Sequence, residues 1–367
     1  MDLIYLWNYL VEIMKISIGT KIKDGPWGGG NLFAINLRNY LVETNHEVIF
    51  DLEDDDIDLI LLTEPRKTSE SSSFTHIDVL KYRQFVKKDV IAVHRINECD
   101  ERKNTNFVNQ YLIEANNSAD ATIFVSSWLK DLFLKEGLEC EKISVILSGA
   151  NSNIFKQQDQ FQSDENDILN IVTHHWGANW NKGFNIYKKL DEMLFLEEYK
   201  NKFSFTYIGN IPNKLKFSNT NLVKPLSGSE LADEIRKSDL YLTASINEPS
   251  GNHHIEGAQC GLPLLYINSG GIPEYCDGFG LMFDENNFEE KLNEIHSKYS
   301  EYKDAIQTYP HNSDKMSSDY LNLFKSLVDD KANIVINRKT PNIINIFEKF
   351  IYIVSRRIKK YIKKDRF

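Results

Sequence analysis

Apolar positions fall in short runs separated by longer amphipathic stretches, and this alternation continues along most of the chain. Residues 15–22 (KISIGTKI) predict a first strand. A glycine-rich turn follows, Gly25-Pro26-Trp27-Gly28-Gly29-Gly30, and Asn31 then opens a predicted helix with Leu32, Ile35, Leu37, Tyr40 and Leu41 as its apolar positions. Further strands are expected at 46–50, 58–63, 90–95, 121–126 and 143–148. Residues 156–167 are polar and aperiodic, as a linker would be, and the alternation then restarts. The second set of strands is expected at 169–174, 203–209, 239–245, 263–268 and 280–284. Helices are expected around 183–194, 229–238, 251–260, 286–299 and 312–328. Short apolar strands alternating with helices imply a parallel sheet covered on both faces. Two such sets in series predict an α/β chain of two doubly wound, Rossmann-like domains facing each other across a cleft. These span 14–155 and 168–330, and 331–367 form a basic amphipathic tail. Ligands of such sheets bind beyond the carboxyl ends of the strands, so the residues after each strand are the ones to inspect.

Charge narrows the partners. The formal net charge is −10, which makes a general nucleic-acid binder a poor expectation. The basic residues concentrate at the end, where 337–367 hold ten of them against the acids Glu348 and Asp365. Cys99, Cys140, Cys260 and Cys276 are scattered without a CxxC pair, which suits a reducing, cytoplasmic setting. No run reaches the roughly 18 apolar residues of a spanning helix. Residues 1–13 read as an extension or a misplaced start, with Asp2 ahead of the apolar run instead of basic residues.

The densest chemistry follows the strand expected at 239–245. Glu248 sits in the loop, Gly251 allows a tight turn into a helix, and Asn252 and His253 begin that helix. The first N–H groups of a helix lack intrahelical partners and carry partial positive charge, which suits a diphosphate. Glu256, more than a turn further on, can accept hydrogen bonds from a ribose diol, and Glu248 then faces the sugar. In a fully helical segment, eight residues would separate the two carboxylates by roughly 12 Å, about the span between the ribose and sugar ends of a nucleotide sugar.

Glu248, seven intervening residues and Glu256 form an E-x7-E spacing, followed by Cys260-Gly261-Leu262-Pro263 and Gly270-Gly271-Ile272-Pro273-Glu274. This ordered set resembles the retaining GT-B glycosyltransferases, especially the large fourth family. The resemblance covers most of 15–330 and implies a GT-B fold and a nucleoside-diphosphate sugar as donor substrate, with no other cofactor. It implies that Glu256 binds the donor ribose and that Glu248 contacts the transferred sugar near the reacting carbon. Attack on the front face, assisted by the departing phosphate, is the usual alternative to a nucleophilic Glu248.

On the other side of the cleft, Gly29 and Gly30 resemble the family's glycine loop, where bare backbone approaches the diphosphate or the acceptor. His94, at the end of the expected strand, resembles a family histidine near the sugar and is a candidate for proton transfer. Asn97, Glu98 and Asp100 are candidates for acceptor hydroxyls. The loop at 63–67 is either an acceptor loop or a solvated connection. Most family members carry an Arg shortly before a Lys-Gly pair at the start of the second domain. Here Lys182 and Gly183 match, but Trp176 and Gly177 occupy the plausible positions of the Arg. Asn179, Asn181 or a histidine can donate instead, with less fixed charge. His174 and His175 invite a metal reading, but no carboxylate stands at a zinc spacing to them, and no metal is expected.

In the tail, Ile343, Ile346, Phe347, Phe350, Ile351, Val354 and Ile358 fit one helical face, with Arg356, Arg357, Lys359, Lys360, Lys363 and Lys364 crowding its end. Such a helix can lie on an anionic leaflet at the inner face of a membrane, or it can cross back onto the first domain. The expected activity is retaining transfer of a sugar to a glycan or glycolipid acceptor. The alternative is a non-catalytic GT-B subunit that binds nucleotide sugar or glycan. A nucleotide-sugar epimerase fits less well, because its further acid-base groups cannot be placed.

Overall fold

The computed structural model describes residues 13–23, 28–158, 168–338, 351–356 and 358. Two six-stranded sheets, each with every neighbouring pair parallel, account for the strands. The first contains β1 (Lys15–Ile18), β2 (Glu47–Ile49), β3 (Leu59–Leu62), β4 (Ile91–Ile96), β5 (Ala121–Phe124) and β6 (Ile143–Val145), in the order β2-β1-β3-β4-β5-β6. The second contains β7 (Leu169–His175), β8 (Phe203–Gly209), β9 (Asn221–Val223), β10 (Leu240–Thr243), β11 (Leu264–Ile267) and β12 (Gly280–Phe283), in the order β12-β11-β10-β7-β8-β9. Its order reverses between β7 and β10, and a crevice opens at such a switch point.

All four residues of β3, β5, β10 and β11 are buried, as expected of strands covered on both faces. The helix Gly29–Glu43 presents Phe33, Ala34, Leu37 and Leu41 to the first sheet. Its inner face is therefore turned from the expected one, and Leu32 is exposed. The short strand β9, with Asn221 and Leu222 exposed, was not among the expected strands.

The helix Ser313–Asp329 begins beyond the second sheet but packs on the first domain. Met316, Tyr320, Phe324 and Leu327 join Ile16, Ile18, Phe33 and Leu37 in one core, with the rings of Phe33 and Tyr320 5.1 Å apart. Residues 313–330 therefore pack with the first domain, although they follow the second in sequence. The chain crosses between domains at two adjacent points, where the Ser313 N–H donates to the Ala150 carbonyl at 2.7 Å. Past this helix, Arg338 pairs with buried Asp120 at 2.7 and 2.9 Å. Arg83 donates to the same carboxylate at 2.8 Å.

Of the tail, the Tyr352 ring packs tilted against Phe85, and Arg356 binds the Glu53 and Asp54 carbonyls and the Asp55 carboxylate. This stretch returns to the first domain, and Ile351, Val354 and Ile358 remain exposed. Ile343, Ile346, Phe347, Phe350, Arg357, Lys359, Lys360, Lys363 and Lys364 lie outside the described residues, as do 1–12, Gly25, Pro26, Trp27 and linker positions 159–167. Among the described residues, no helix is long and apolar enough to cross a membrane.

Candidate functional site

The carboxyl ends of β7 and β10 meet at the switch point of the second sheet. After β10 the chain enters the helix Asn252–Gln259 through Gly251, whose φ of 72° favours glycine. No side chain caps this helix, which leaves the N–H groups of its first turn at the cleft. Within the helix, Gly257 lies against the Tyr241 ring, and a Cβ there would come within 2.2 Å of it.

That contact leads to Glu256. The His174 N–H donates to the Tyr241 hydroxyl at 3.1 Å, which leaves the hydroxyl free to donate to His174 Nδ1 at 2.9 Å. The imidazole proton then resides on Nε2, which donates to Glu256 Oε2 at 2.8 Å. A buried relay thus aims the Glu256 carboxylate and leaves its other oxygen for a ligand.

Glu248 is buried and holds two cations. Lys182 Nζ donates to Oε2 at 2.7 Å from the same domain. Arg102 Nε reaches Oε1 at 2.9 Å from the first domain. Burial pushes the Glu248 carboxyl up, but Arg102 and then Lys182 outweigh it and hold the group well below the usual carboxylate range. Lys182 closes the 3-10 turn Trp180–Lys182, in which the Asn181 N–H donates to the capping Asn179 Oδ1 at 2.9 Å. Gly183, at φ 99°, lies so close to the Ala244 carbonyl that a Cβ would stand 2.5 Å from its oxygen. Arg102 sits on the short helix Asp100–Lys103, and its backbone carbonyl accepts from Asn181 Nδ2 at 3.1 Å. Its Nη1 also meets Glu98 at 3.1 Å, and Lys103 meets Glu98 at 2.5 Å. Charges therefore alternate across the cleft in the sequence Lys103, Glu98, Arg102, Glu248, Lys182.

The glycine turn faces the same place. A Cβ on Gly29 would lie 3.1 Å from the Asn252 side chain, whereas one on Gly30 would meet open space. Glu274 bridges the domains differently, accepting from the Ser127 and Trp128 N–H groups at 2.7 and 2.8 Å and so capping the helix Ser127–Lys135.

Several expected positions turn out otherwise. β4 runs on to Ile96, so His94 lies inside the sheet rather than at its end. It is fully buried, bonds Asn116 Oδ1 through Nδ1 at 3.0 Å, and is driven by burial to a pKa of about 4. Its Nε2 is buried and has no hydrogen-bond partner among the described residues. Asp100 accepts from Thr105 Oγ1 and from the N–H groups of Phe107, Val108 and Asn109, which makes it a turn and cap residue rather than an acceptor contact. His253 is buried and bonds Thr243 Oγ1 at 2.7 Å, and burial lowers its pKa, so its side chain is engaged within the second domain. His175 pairs with the Tyr187 hydroxyl at 2.8 Å and points away from His174's partner. Arg102 was visible only as one charge in a polar segment after β4. Its partner is 146 positions away, beyond any local pattern. The loop at 63–67 and the segment after β4 together enclose a polar cavity of about 230 Å3, lined among others by Thr63, Arg66, Arg95, Asn97, Glu98 and Lys103.

Residues 210–310, which include Glu248, Glu256 and Glu274, match the family described as Glycosyl transferases group 1. The resemblance to group 1 glycosyltransferases is thereby borne out over this segment. No curated protein sequence matches the chain. Among solved structures, a glycosyltransferase from Rickettsia africae aligns over 87% of this chain and 100% of its own, with 14% identity and a TM-score of 0.60. Anabaena HepE in complex with UDP-glucose covers 87% and 99% at 12% identity and a TM-score of 0.57. Sucrose-phosphate synthase from Thermosynechococcus elongatus covers 86% and 99% at 13% identity and a TM-score of 0.57. The two facing parallel-sheet domains are the GT-B fold.

Proposed function

We propose that this GT-B chain, with its group 1 glycosyl transferase segment, is a retaining glycosyltransferase that moves a sugar from a nucleoside-diphosphate donor to a glycan or glycolipid acceptor. The observation that carries this reading is the pair of buried carboxylates at either end of the Glu248–Glu256 segment. Each is held by its own polar partners, and an uncapped helix start lies between them.

In this reading the donor ribose takes the free oxygen of Glu256. The diphosphate lies at the first turn of the helix Asn252–Gln259, near the backbone of Gly29 and Gly30 and beside Lys182. Lys182 and Arg102 can shift part of their charge from Glu248 to the departing phosphate as the bond from sugar to phosphate oxygen breaks. The acceptor hydroxyl attacks the same carbon from the leaving-group face and gives its proton to the released phosphate. Glu248, kept ionised by its two cations, stabilises positive charge on the sugar carbon. Several structures of similar fold were solved with UDP or UDP-glucose, so uridine nucleotides are the first donors to try.

The test is release of nucleoside diphosphate from a panel of nucleotide sugars, comparing the unmodified chain with Glu248→Ala. Turnover of one donor, reduced at least about a hundredfold in the variant, is the expected outcome. A donor that binds but is never turned over, with or without candidate acceptors, would favour the non-catalytic subunit. Absence of any binding would remove the donor-site assignment.

A further inference from the structure

The cavity between the loops after β3 and β4 has three cationic side chains in its lining, Arg66, Arg95 and Lys103, and two carboxylates, Glu64 and Glu98. Both carboxylates are already engaged. Glu64 takes a two-point grip from Arg66 at 2.8 and 2.6 Å. Glu98 is shared by Lys103 and Arg102. Arg95 is left over. It is only 5% exposed, and it has no carboxylate partner among the described residues. Its Nε donates to the Tyr320 hydroxyl at 3.2 Å, and its guanidinium lies 3.9 Å from the centre of the Phe33 ring. A ring face and a neutral hydroxyl offset part of the charge, but a buried guanidinium without a counter-anion is unfavourable.

The cavity is also smaller than the ~300–1,000 Å3 of drug-sized ligand pockets, which suits a single sugar or an anionic group of similar size. Its position relates it to the reaction. Glu98 lies in its wall, Arg102 joins Glu98 to Glu248, and Glu248 belongs to the donor side. A molecule seated here stands two ion pairs from the carboxylate placed at the reacting carbon.

We propose that this cavity is the acceptor subsite and that it selects a sugar bearing an anionic group, carboxylate or phosphate, through Arg95. Asn97 and Thr63 in the same lining supply hydrogen bonds for hydroxyls, and Arg95 supplies the missing charge match. The inference rests on the transferase reading only for the word acceptor; the anion preference belongs to the cavity alone.

Calorimetric titration of the full chain with glucuronate, glucose 6-phosphate and glucose tests it. At least one acidic sugar is expected to bind about tenfold or more tightly than glucose. Which of the two binds better distinguishes carboxylate from phosphate. In Arg95→Met, with folding checked by circular dichroism, the ratio of acidic to neutral sugar affinity should collapse towards one. Arg95→Lys keeps the charge but not the planar fork, so it should retain part of the preference. A residue that merely supported the fold would weaken all three sugars together and leave that ratio unchanged. Equal binding of acidic and neutral sugars by the unmodified chain overturns the proposal even if neither variant folds. So does an unchanged ratio in folded Arg95→Met. Donor binding, measured on the same samples, separates this outcome from failure of the transferase reading.

Discussion

Glu248 holds two cations that come from opposite sides of the cleft, and only Lys182 shares its domain. A carboxylate buried to this degree is stable as an anion only if such charges persist. Arg102→Met removes the cation from the first domain and leaves Lys182 in place. Turnover of the accepted donor should fall by about ten- to a hundredfold, with partial recovery in Arg102→Lys. Steady-state kinetics on the two variants measure this, and unchanged rates would reduce Arg102 to an incidental pair. The residues that could be read locally were those in motifs, namely Glu248, Glu256, Lys182 and the glycines. Those that could not be read were fixed by distant partners. The strand expected at 90–95 already held Arg95, but β4 runs on to Ile96 through its pairing with β5, and the Arg95 side chain finds its partner in Tyr320, 225 positions later.

At the scale of elements, the helix Asn252–Gln259 rides on β10 through the missing side chain of Gly257. Gly257→Ala drives a methyl into the Tyr241 ring, and overpacking of this kind costs about 1–3 kcal/mol. Urea unfolding should show that loss. The donor KM should rise as well, because Tyr241 orients His174 and His174 orients Glu256. A stable variant with normal KM would break the link between this packing and the site. The strand at 203–209 was readable to the residue, since Phe203, Phe205 and Tyr207 are buried and alternate with the half-buried Ser204 and Thr206. β9 was not, because three residues with two exposed side chains carry no period. The helix Gly29–Glu43 was found, but its inner face was not. That face is set by Tyr320 and its neighbours on the helix Ser313–Asp329, which no local window contains.

Across the whole molecule, burial lowers several imidazoles together. His94 is brought down to about 4 and His254 to about 3, and His175 and His253 lie well below 6.5. The unfolded chain takes up protons on these groups near pH 6.5, and the folded chain resists until much lower pH. Their contribution is therefore complete above pH 6.5 and is lost as pH falls towards 4, at up to about 1.4 kcal/mol per pH unit for each group. Glu248 acts in the same direction only below its ordinary value of 4.5, where an unfolded carboxylate would accept a proton and the ion-paired one does not. Urea midpoints should hold steady from pH 8 to 7 and drop between 6.5 and 4, less steeply in His254→Asn. A flat profile across that range would contradict the burial of neutral histidines.

The helix that returns from the second domain has a consequence for synthesis. As the chain leaves the ribosome, the first sheet emerges early, but Phe33 and Leu37 find Tyr320, Phe324 and Leu327 only after the entire second domain has been made. Until then one face of the nascent first domain is greasy and uncovered, a state open to chaperones and to aggregation. A helix translated after the second domain thus completes the domain translated before it, and a message cut short just beyond the second sheet would leave both sheets present and the earlier domain unfinished.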